Sequence, residues 1–379
     1  MEEKLIPAFD YAIENGNIAV FDALAKDFDS FSDDDKKILL IRTLINSPDV
    51  SFVKHVIDFG YSLDYENDGA TLLHYAAANK NVEIVRFFIE QGLDVNAIDN
   101  AGDSSLFCAA EYCENPDVLK ELIAAGADTG ITGHNGETLL IMAAGRNPNP
   151  EITKFLLEQG FDIEERDNDG FTPILNAALW QSNEDVIKVL VDFGADINAK
   201  TNDGSNMLHL AVHNENPSVF RYISSAFSTW DVDNDGFSCI RKALINARSP
   251  EVVKLLLQKM RIEHIQTACF NENPEILEAL IQSGYDVNAT DVNGATVLMI
   301  AAHYNKNPDV IRVLRYYKVI WNNTDEKGRN VLHYAAANEE AAIYEWMFED
   351  DDFKTLADKV DSDGHTPEYY HDNKEELDD

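Results

Sequence analysis

The sequence predicts an all-α chain built by repeating a helix pair, and three observations carry the prediction. Glycines that close Asp- and Asn-rich turns stand at 69, 102, 136, 170, 204, 236, 294, 328 and 364, with gaps of 33, 34, 34, 34, 32, 58, 34 and 36 residues. A short alanine-rich stretch follows the turn, as in LLHYAAAN (72–79), LLIMAAGR (139–146), PILNAALW (173–180) and VLHYAAAN (331–338). A longer amphipathic stretch then runs to a second glycine, as in VEIVRFFIEQG (82–92) and EITKFLLEQG (151–160). Together the two glycine sets take fifteen of the nineteen glycines, so the punctuation is periodic.

Each element has a local reason. Asp and Asn before Gly suit a tight turn, because they tolerate left-handed dihedrals and bond to their own backbone. Paired small residues such as Ala76-Ala77 and Ala301-Ala302 let neighbouring short helices approach closely. Pro48, Pro116, Pro150, Pro217, Pro250, Pro274 and Pro308 each follow Asn or Ser and mark the start of the longer helix. The Asn or Ser oxygen caps the helix, proline takes the first helical position, and an acid two places in complements the helix dipole. Val186, Val189 and Leu190 show the apolar spacing of that second helix.

The gap of 58 between Gly236 and Gly294 has room for two helix pairs, about 238–258 and 262–282. KMRIEH (259–264) stands there in place of a turn, so one unit is expected to lack its finger. Residues 1–64 read as a helical N-terminal cap of degenerate repeats, 65–360 as the array, and 361–379 as a truncated repeat with an acidic tail.

The bulk numbers narrow the function. The 379 residues are 45% hydrophobic, enough for a real core. Sixty-eight Asp and Glu against thirty Lys and Arg leave a net charge of −38. That argues against a nucleic-acid backbone or an anionic membrane as partner, and favours a basic one. The opening MEEKLIPAFDYA has neither a basic n-region nor a long apolar h-region, and no apolar run is long enough to span a membrane. Cys108, Cys113, Cys239 and Cys269 are scattered and form no CxxC pair. A reducing compartment, the cytoplasm, is therefore expected, with export lacking a cleavable signal left open. The sequons at Asn288 and Asn322 would then be idle.

NDGATLLHYAA (67–77), NDGFTPILNAA (168–178), AAGADTG (124–130), FGADINAKTNDG (193–204) and SGYDVNATDVNG (283–294) resemble the ankyrin repeat, over roughly residues 60–379. The resemblance implies a solenoid of about nine to ten helix pairs with β-hairpin turns, one unit lacking its hairpin. The proline of the T-P-L-H motif is kept at Pro173 and Pro367 but replaced by Leu72, Leu139, Val297 and Val331. Its histidine is kept at His74, His209 and His333, where the family uses the imidazole to bridge a turn to the next repeat. The resemblance also implies that partners touch the hairpin tips and the two variable positions after the Ala-Ala pair, on a concave face. In this sequence that column is Ala78/Asn79, Glu111/Tyr112, Gly145/Arg146, Leu179/Trp180, His213/Asn214, Ile245/Asn246, His303/Tyr304 and Ala337/Asn338.

The chemical candidates are weaker than the repeat. Asp231, Asp233 and Asp235 before Gly236 imitate half of a calcium loop, but position twelve is Lys242 where a bidentate acid is required. The same place is where the period demands a turn. His209 and His213 have metal-ligand spacing, yet Leu-Ala-Val between them is no zinc-protease motif. No phosphate-binding glycine loop and no nucleophile motif occurs, so neither an enzyme, a metal nor a cofactor is expected.

The expected function is a monomeric protein-binding scaffold that grips a partner with a basic surface. Tyr112, Trp180 and Tyr304 are the expected anchors, beside Arg146, His213 and His303. Asp68, Asp103, Asp169, Asp203 and Asp235 would form a steering acidic row. An acidic inhibitor mimicking nucleic acid, or an exported effector acting by binding, are the alternatives. Calcium titrated calorimetrically into the chain is expected to give no saturable heat; a saturable heat lost in Asp233→Asn would restore the calcium-loop reading.

Overall fold

Each repeat begins where a side chain folds the backbone back on itself. In the computed structural model, which describes residues 6–26, 28–226, 232–259 and 265–374, the aspartate of D-x-x-G accepts from two backbone amides of its own turn. Asp167 Oδ1 takes the amides of Asp169 and Phe171 at 3.0 and 2.8 Å, and Asp361 takes those of Asp363 and His365, both at 2.9 Å. The glycine then adopts a left-handed φ, as at Gly170 with φ 84°. A Cβ there would lie 2.8 Å from the Asn202 backbone nitrogen in the next finger, so no side chain fits.

The expected β-hairpins are shorter than the resemblance implies. Among the described residues only Glu66–Asn67 and Ala70–Thr71 pair as strands. Four other fingers close through single bridges, such as Ile98 with Ser104 and Thr324 with Asn330. The legs are too short for a ladder, so fingers bond to one another instead. Within residues 1–207 the Asn100, Asn168 and Asn202 amides donate to the carbonyls of Asp68, Asn135 and Asp169 at 2.9–3.0 Å.

The molecule divides into two compact units, residues 1–207 and 208–379. The first opens with helices Ile6–Glu14 and Ile18–Leu24, then Asp33–Asn46 and Val50–Ile57. Phe9, Phe21 and Phe52 fill this end, with edge-to-face ring contacts near 5.5 Å. Four regular repeats follow, with first helices Leu72–Ala77, Ser105–Tyr112, Leu139–Arg146 and Pro173–Trp180. Their second helices are Val82–Glu90, Pro116–Ala124, Pro150–Glu158 and Glu184–Asp192. The second unit pairs Cys239–Asn246 with Pro250–Lys259, Val297–Tyr304 with Pro308–Tyr316, and Val331–Ala336 with Ala341–Glu349. It ends on the half repeat Pro367–Asp372.

Two helix pairs do occupy the long gap, but the second opens with a 3-10 helix, Ile265–Phe270, before Pro274–Gln282. Residues 260–264 of KMRIEH, Asp231 of the calcium-like string and residues 375–379 of the acidic tail lie outside the described residues.

The caps behave as expected at Asn115, Asn149, Asn273 and Asn307, each accepting from the amide two residues on, with proline at the first helical position. Pro48 departs from this. Asp49 is the cap, accepting from the Ser51 amide at 2.8 Å, and Pro48 sits before it. In the second helices the buried positions follow i, i+1, i+4, as in Val186, Ile187 and Leu190, while Val189 is only half-buried.

A buried amide two places before most of the caps ties repeats together. Asn147 Nδ2 donates to the carbonyls of Ala110 and Cys113 at 3.0 and 2.8 Å, and its Oδ1 accepts from the Asn149 amide. Asn79 and Gln181 do the same in the first unit, Asn305 and Asn338 in the second. The cap itself extends the ladder: Asn115, Asn149 and Asn183 donate to the carbonyls of Lys80, Glu114 and Pro148. The N-x-N string is therefore two parallel rows of inter-repeat hydrogen bonds.

Three histidines bridge turns as the resemblance implies. His74 Nδ1 accepts from the Thr71 amide while Nε2 meets the Asp103 carbonyl at 3.1 Å. His333 accepts from the Asn330 amide and meets the His365 carbonyl, and His209 meets the Phe237 carbonyl. Burial, the largest cause, holds the His333 pKa below the usual imidazole value.

Asn147→Ala leaves two buried carbonyls and one amide unpaired and is expected to cost about 3 kcal/mol in guanidinium unfolding. Asn46→Ala, whose exposed amide only reaches back to the Arg42 carbonyl, is expected to cost under about 0.5 kcal/mol. His333 in the folded chain is expected to titrate below about 6.5 by imidazole proton NMR. Its folded pKa lies below the unfolded one, so its contribution to stability is complete above about pH 6.5 and is lost as pH falls from there through the folded value.

Candidate functional site

The finger acids divide into two kinds. Asp99, Asp167, Asp233, Asp291 and Asp361 spend one oxygen on two amides of their own turn, and so face inward. Asp169, Asp203 and Asp235, just before the glycine, are exposed at the tips. Asp169 accepts from the Asn135 side chain at 2.7 Å, and Asp203 is bonded by the Thr201 and Ser205 hydroxyls. Asp103 is not a tip residue: it follows Gly102, is half-buried, and its carboxyl is held above the usual range chiefly by burial, then by Asp99 and Glu111.

The calcium-like string now has a physical reading. Asp233 Oδ1 accepts from the Asp235 and Phe237 amides, and its Oδ2 lies 2.8 Å from the Lys242 ammonium. The lysine that spoiled the calcium motif supplies the positive charge itself. Other fingers use the same position, nine residues after the aspartate, in a related way. Tyr334 donates to Asp325 at 2.8 Å and Tyr370 to Asp361 at 2.6 Å. Among the described residues no group of His, Cys, Asp and Glu is placed to hold a metal ion.

The first-helix column needs correction. Where His74, His209 and His333 are kept, the first helix has five or six residues; in five other repeats it has eight. The buried amide stays fixed, so the longer helices push one extra residue outward. Tyr112, Arg146, Trp180, Asn246 and Tyr304 are those residues, each the last of its helix. Asn79, Asn214 and Asn338, expected in the same exposed column, are buried members of the amide row. A spacing of eight rather than nine residues from helix cap to amide carried this signal in the sequence.

In the first unit Tyr112 and Trp180 are 62% and 59% exposed. Arg146 lies between them in sequence, with its guanidinium on Glu111 at 3.4 Å and Glu137 at 3.2 Å. Burial, first, and the Glu111 hydrogen bond push the Tyr112 hydroxyl up to about 12. In the second unit Tyr304 is 46% exposed and rests on Phe270 and His303, at 4.9 and 4.2 Å between ring centroids. His303, expected to face a partner, is instead buried beneath that stack, with Nδ1 3.3 Å from the Tyr334 carbonyl. His213 is half-buried, and burial, then Lys242, lowers its pKa.

Each unit also holds a cavity that the sequence did not announce. In the first, about 560 Å³ opens between Ile45, Ala78, Tyr75, Tyr112 and Cys108, with Asp68 and Asp99 at its polar edge. In the second, about 340 Å³ lies among His303, Tyr304, Tyr334, Asp291, Asp325 and Arg329. Burial pushes the Cys108, Cys239 and Cys269 thiols up to about 12 and Cys113 to about 11, which leaves none of them an activated nucleophile. No helix of the described residues is long and apolar enough to cross a membrane.

Comparison with known proteins agrees with this architecture. A family profile described as ankyrin repeats (3 copies) matches residues 9–99, 106–201, 186–267 and 265–359. No curated protein matches the chain. Ankyrin repeats are generally protein–protein interaction modules and typically not enzymes. With nearly its whole length matched, from the aromatic N-terminal pairs to the last complete repeat, the chain belongs to the ankyrin repeat family.

Proposed function

We propose that this chain is a non-enzymatic scaffold that binds a polypeptide with a basic surface, on the ends of its first helices and on its fingers. The observation that supports it most is the pair Tyr112 and Trp180. Both are large aromatics left mostly in solvent, at one repeat position, within one compact unit. Nothing in the fold needs them exposed, since the shorter helices of the histidine repeats do without the position. Aromatic side chains carry much of the energy of interfaces for little entropy cost.

The surroundings favour a cationic partner. Glu111 and Glu137 take up the Arg146 charge, so the one cation in this column does not oppose an incoming one. Asp169, Asp203 and Asp235 at the tips add negative potential that speeds encounter with a basic surface. In the second unit Tyr304 offers an equivalent aromatic anchor, supported from below by His303. The inhibitor alternative has less support. A phosphate-like track needs outward carboxylates, whereas Asp99, Asp167, Asp233, Asp291 and Asp361 are turned onto their own backbone. A monomer in a reducing, cytoplasmic setting is part of the proposal, in keeping with four free thiols.

Peptides selected from a random display library on the wild-type chain supply the test. Selected binders are expected to be enriched in Lys and Arg, and Trp180→Ala and Tyr112→Ala are each expected to weaken them at least tenfold, about 1.4 kcal/mol. The association rate is expected to fall as salt rises, and duplex DNA is expected not to compete. Unchanged affinity in both variants, or competition by DNA, would sink the proposal.

A further inference from the structure

Among the described residues two finger aspartates, Asp99 and Asp291, have no side-chain donor on the outer oxygen, and their surroundings differ. Asp233 is neutralised by Lys242, Asp325 by Arg329 at 2.7 Å, and Asp361 accepts the Tyr370 hydroxyl. Asp167 lies 3.5 Å from the Asn135 amide nitrogen, and Asp291 shares its cavity with Arg329 and Lys327. Asp99 differs. Its Oδ1 holds the Ala101 and Asp103 amides, but among the described residues no side chain donates to Oδ2. The position nine residues on, which is Lys242 in the Asp233 finger, is Cys108 here.

Cysteine is too short to reach the carboxylate, and a cavity of about 560 Å³ stands beside it. That is within the range of roughly 300–1,000 Å³ of ligand pockets. Its walls are Ile45, Ala78, Tyr75 and Tyr112, and its acids are Asp68 and Asp99. Apolar and aromatic walls suit the methylene stem of a long basic side chain, and ring faces attract its charged head. The Lys242 ammonium on Asp233 shows that a finger carboxylate of this geometry accepts such a head at 2.8 Å. The Cys108 thiol reports the same field: after burial, the charges of Asp103, Asp99 and Glu111 raise its pKa further.

We infer that the cavity beside Asp99 is a socket for one lysine or arginine side chain of the partner, its stem between Tyr75 and Tyr112 and its charge on the Asp99 carboxylate. The inference rests on the scaffold reading and adds to it a specific residue class and a specific place. It also assigns Tyr112 two faces, one against the inserted stem and one against the partner's backbone.

The probes are acetylated, amidated pentapeptides Gly-Ser-X-Ser-Gly with X lysine, arginine, norleucine or glutamate, titrated into the full chain. Methyl NMR of Ile45, Ala70 and Ala78 reads the socket. The lysine and arginine peptides are expected to shift these methyls saturably, with the norleucine peptide at least tenfold weaker and the glutamate peptide silent. Asp99→Asn keeps an oxygen for the turn amides and is expected to reduce lysine-peptide affinity about tenfold. Cys108→Lys supplies the ammonium from within, as Lys242 does, and is expected to stay folded by circular dichroism while losing the peptides. Should that variant unfold, Asp99→Asn decides alone. Equal or tighter binding of norleucine, undiminished binding by Asp99→Asn, or no saturable shift with either basic peptide overturns the inference. If library-selected binders are lost in Trp180→Ala but kept in Asp99→Asn, the scaffold stands and the socket falls.

Discussion

A buried carboxamide that bonds backward to the preceding repeat is the interaction on which the rest of this structure depends. An amide has two donors and an acceptor in one plane, and all three are used. The donors satisfy carbonyls at the end of the previous first helix, groups that a helix terminus otherwise leaves unpaired. The acceptor holds the amide of the residue that caps the second helix. One side chain thus fixes the spacing between repeats, the end of one helix and the beginning of another. Where the amide is absent the substitutes are weaker: Cys113 reaches the Asn79 carbonyl only through its thiol, at 3.2 Å. Ala247 has no side-chain donor to offer, and it belongs to the repeat just before the one that opens with the 3-10 helix Ile265–Phe270.

Because that row is immobile, variation in length has one place to go. An eight-residue first helix must bulge its last residue toward solvent, and Tyr112, Arg146, Trp180, Asn246 and Tyr304 are the result. The short-helix repeats hold their turn with a histidine and expose nothing comparable. Structural repetition and surface individuality are in this way separated by one residue. The same logic governs charge. A net charge of −38 suggests an acidic surface throughout, yet the acids at the D-x-x-G aspartate position bind their own turns. In the proposed reading, the tip acids, Glu111 and Glu137 around Arg146, and the outer oxygen of Asp99 are the charges nearest a partner.

Several features were legible without coordinates. The helix pairs and their caps at Asn115, Asn149, Asn273 and Asn307 follow from spacing, because each depends on interactions over a few residues, whereas the histidine bridges, which span about 30 residues, were expected from the ankyrin resemblance. The calcium reading also fell on spacing alone, since Lys242 stood at the required acid. Tyr112, Trp180 and Tyr304 were rightly placed in solvent by their position after the Ala-Ala pair. His303 was misplaced because the same rule was applied one residue too early, and Asn79, Asn214 and Asn338 because the rule ignored the length of the helix.

The sequence by itself determined the period, the family and the chemistry of each turn, since a 34-residue beat is set by local capping and by glycines that must be left-handed. Only the tertiary structure decided which polar residues are interior. Hydrogen bonds between residues 32 to 37 apart, as for Asn79, Asn147 and Gln181, exist only once repeats stack. It decided likewise that the Lys242 ammonium rests on Asp233, while Cys108 leaves Asp99 open beside a cavity. A motif fixes which residues occur; whether a charge is met from within depends on the reach of a side chain nine positions away, and that reach is a matter of three-dimensional packing.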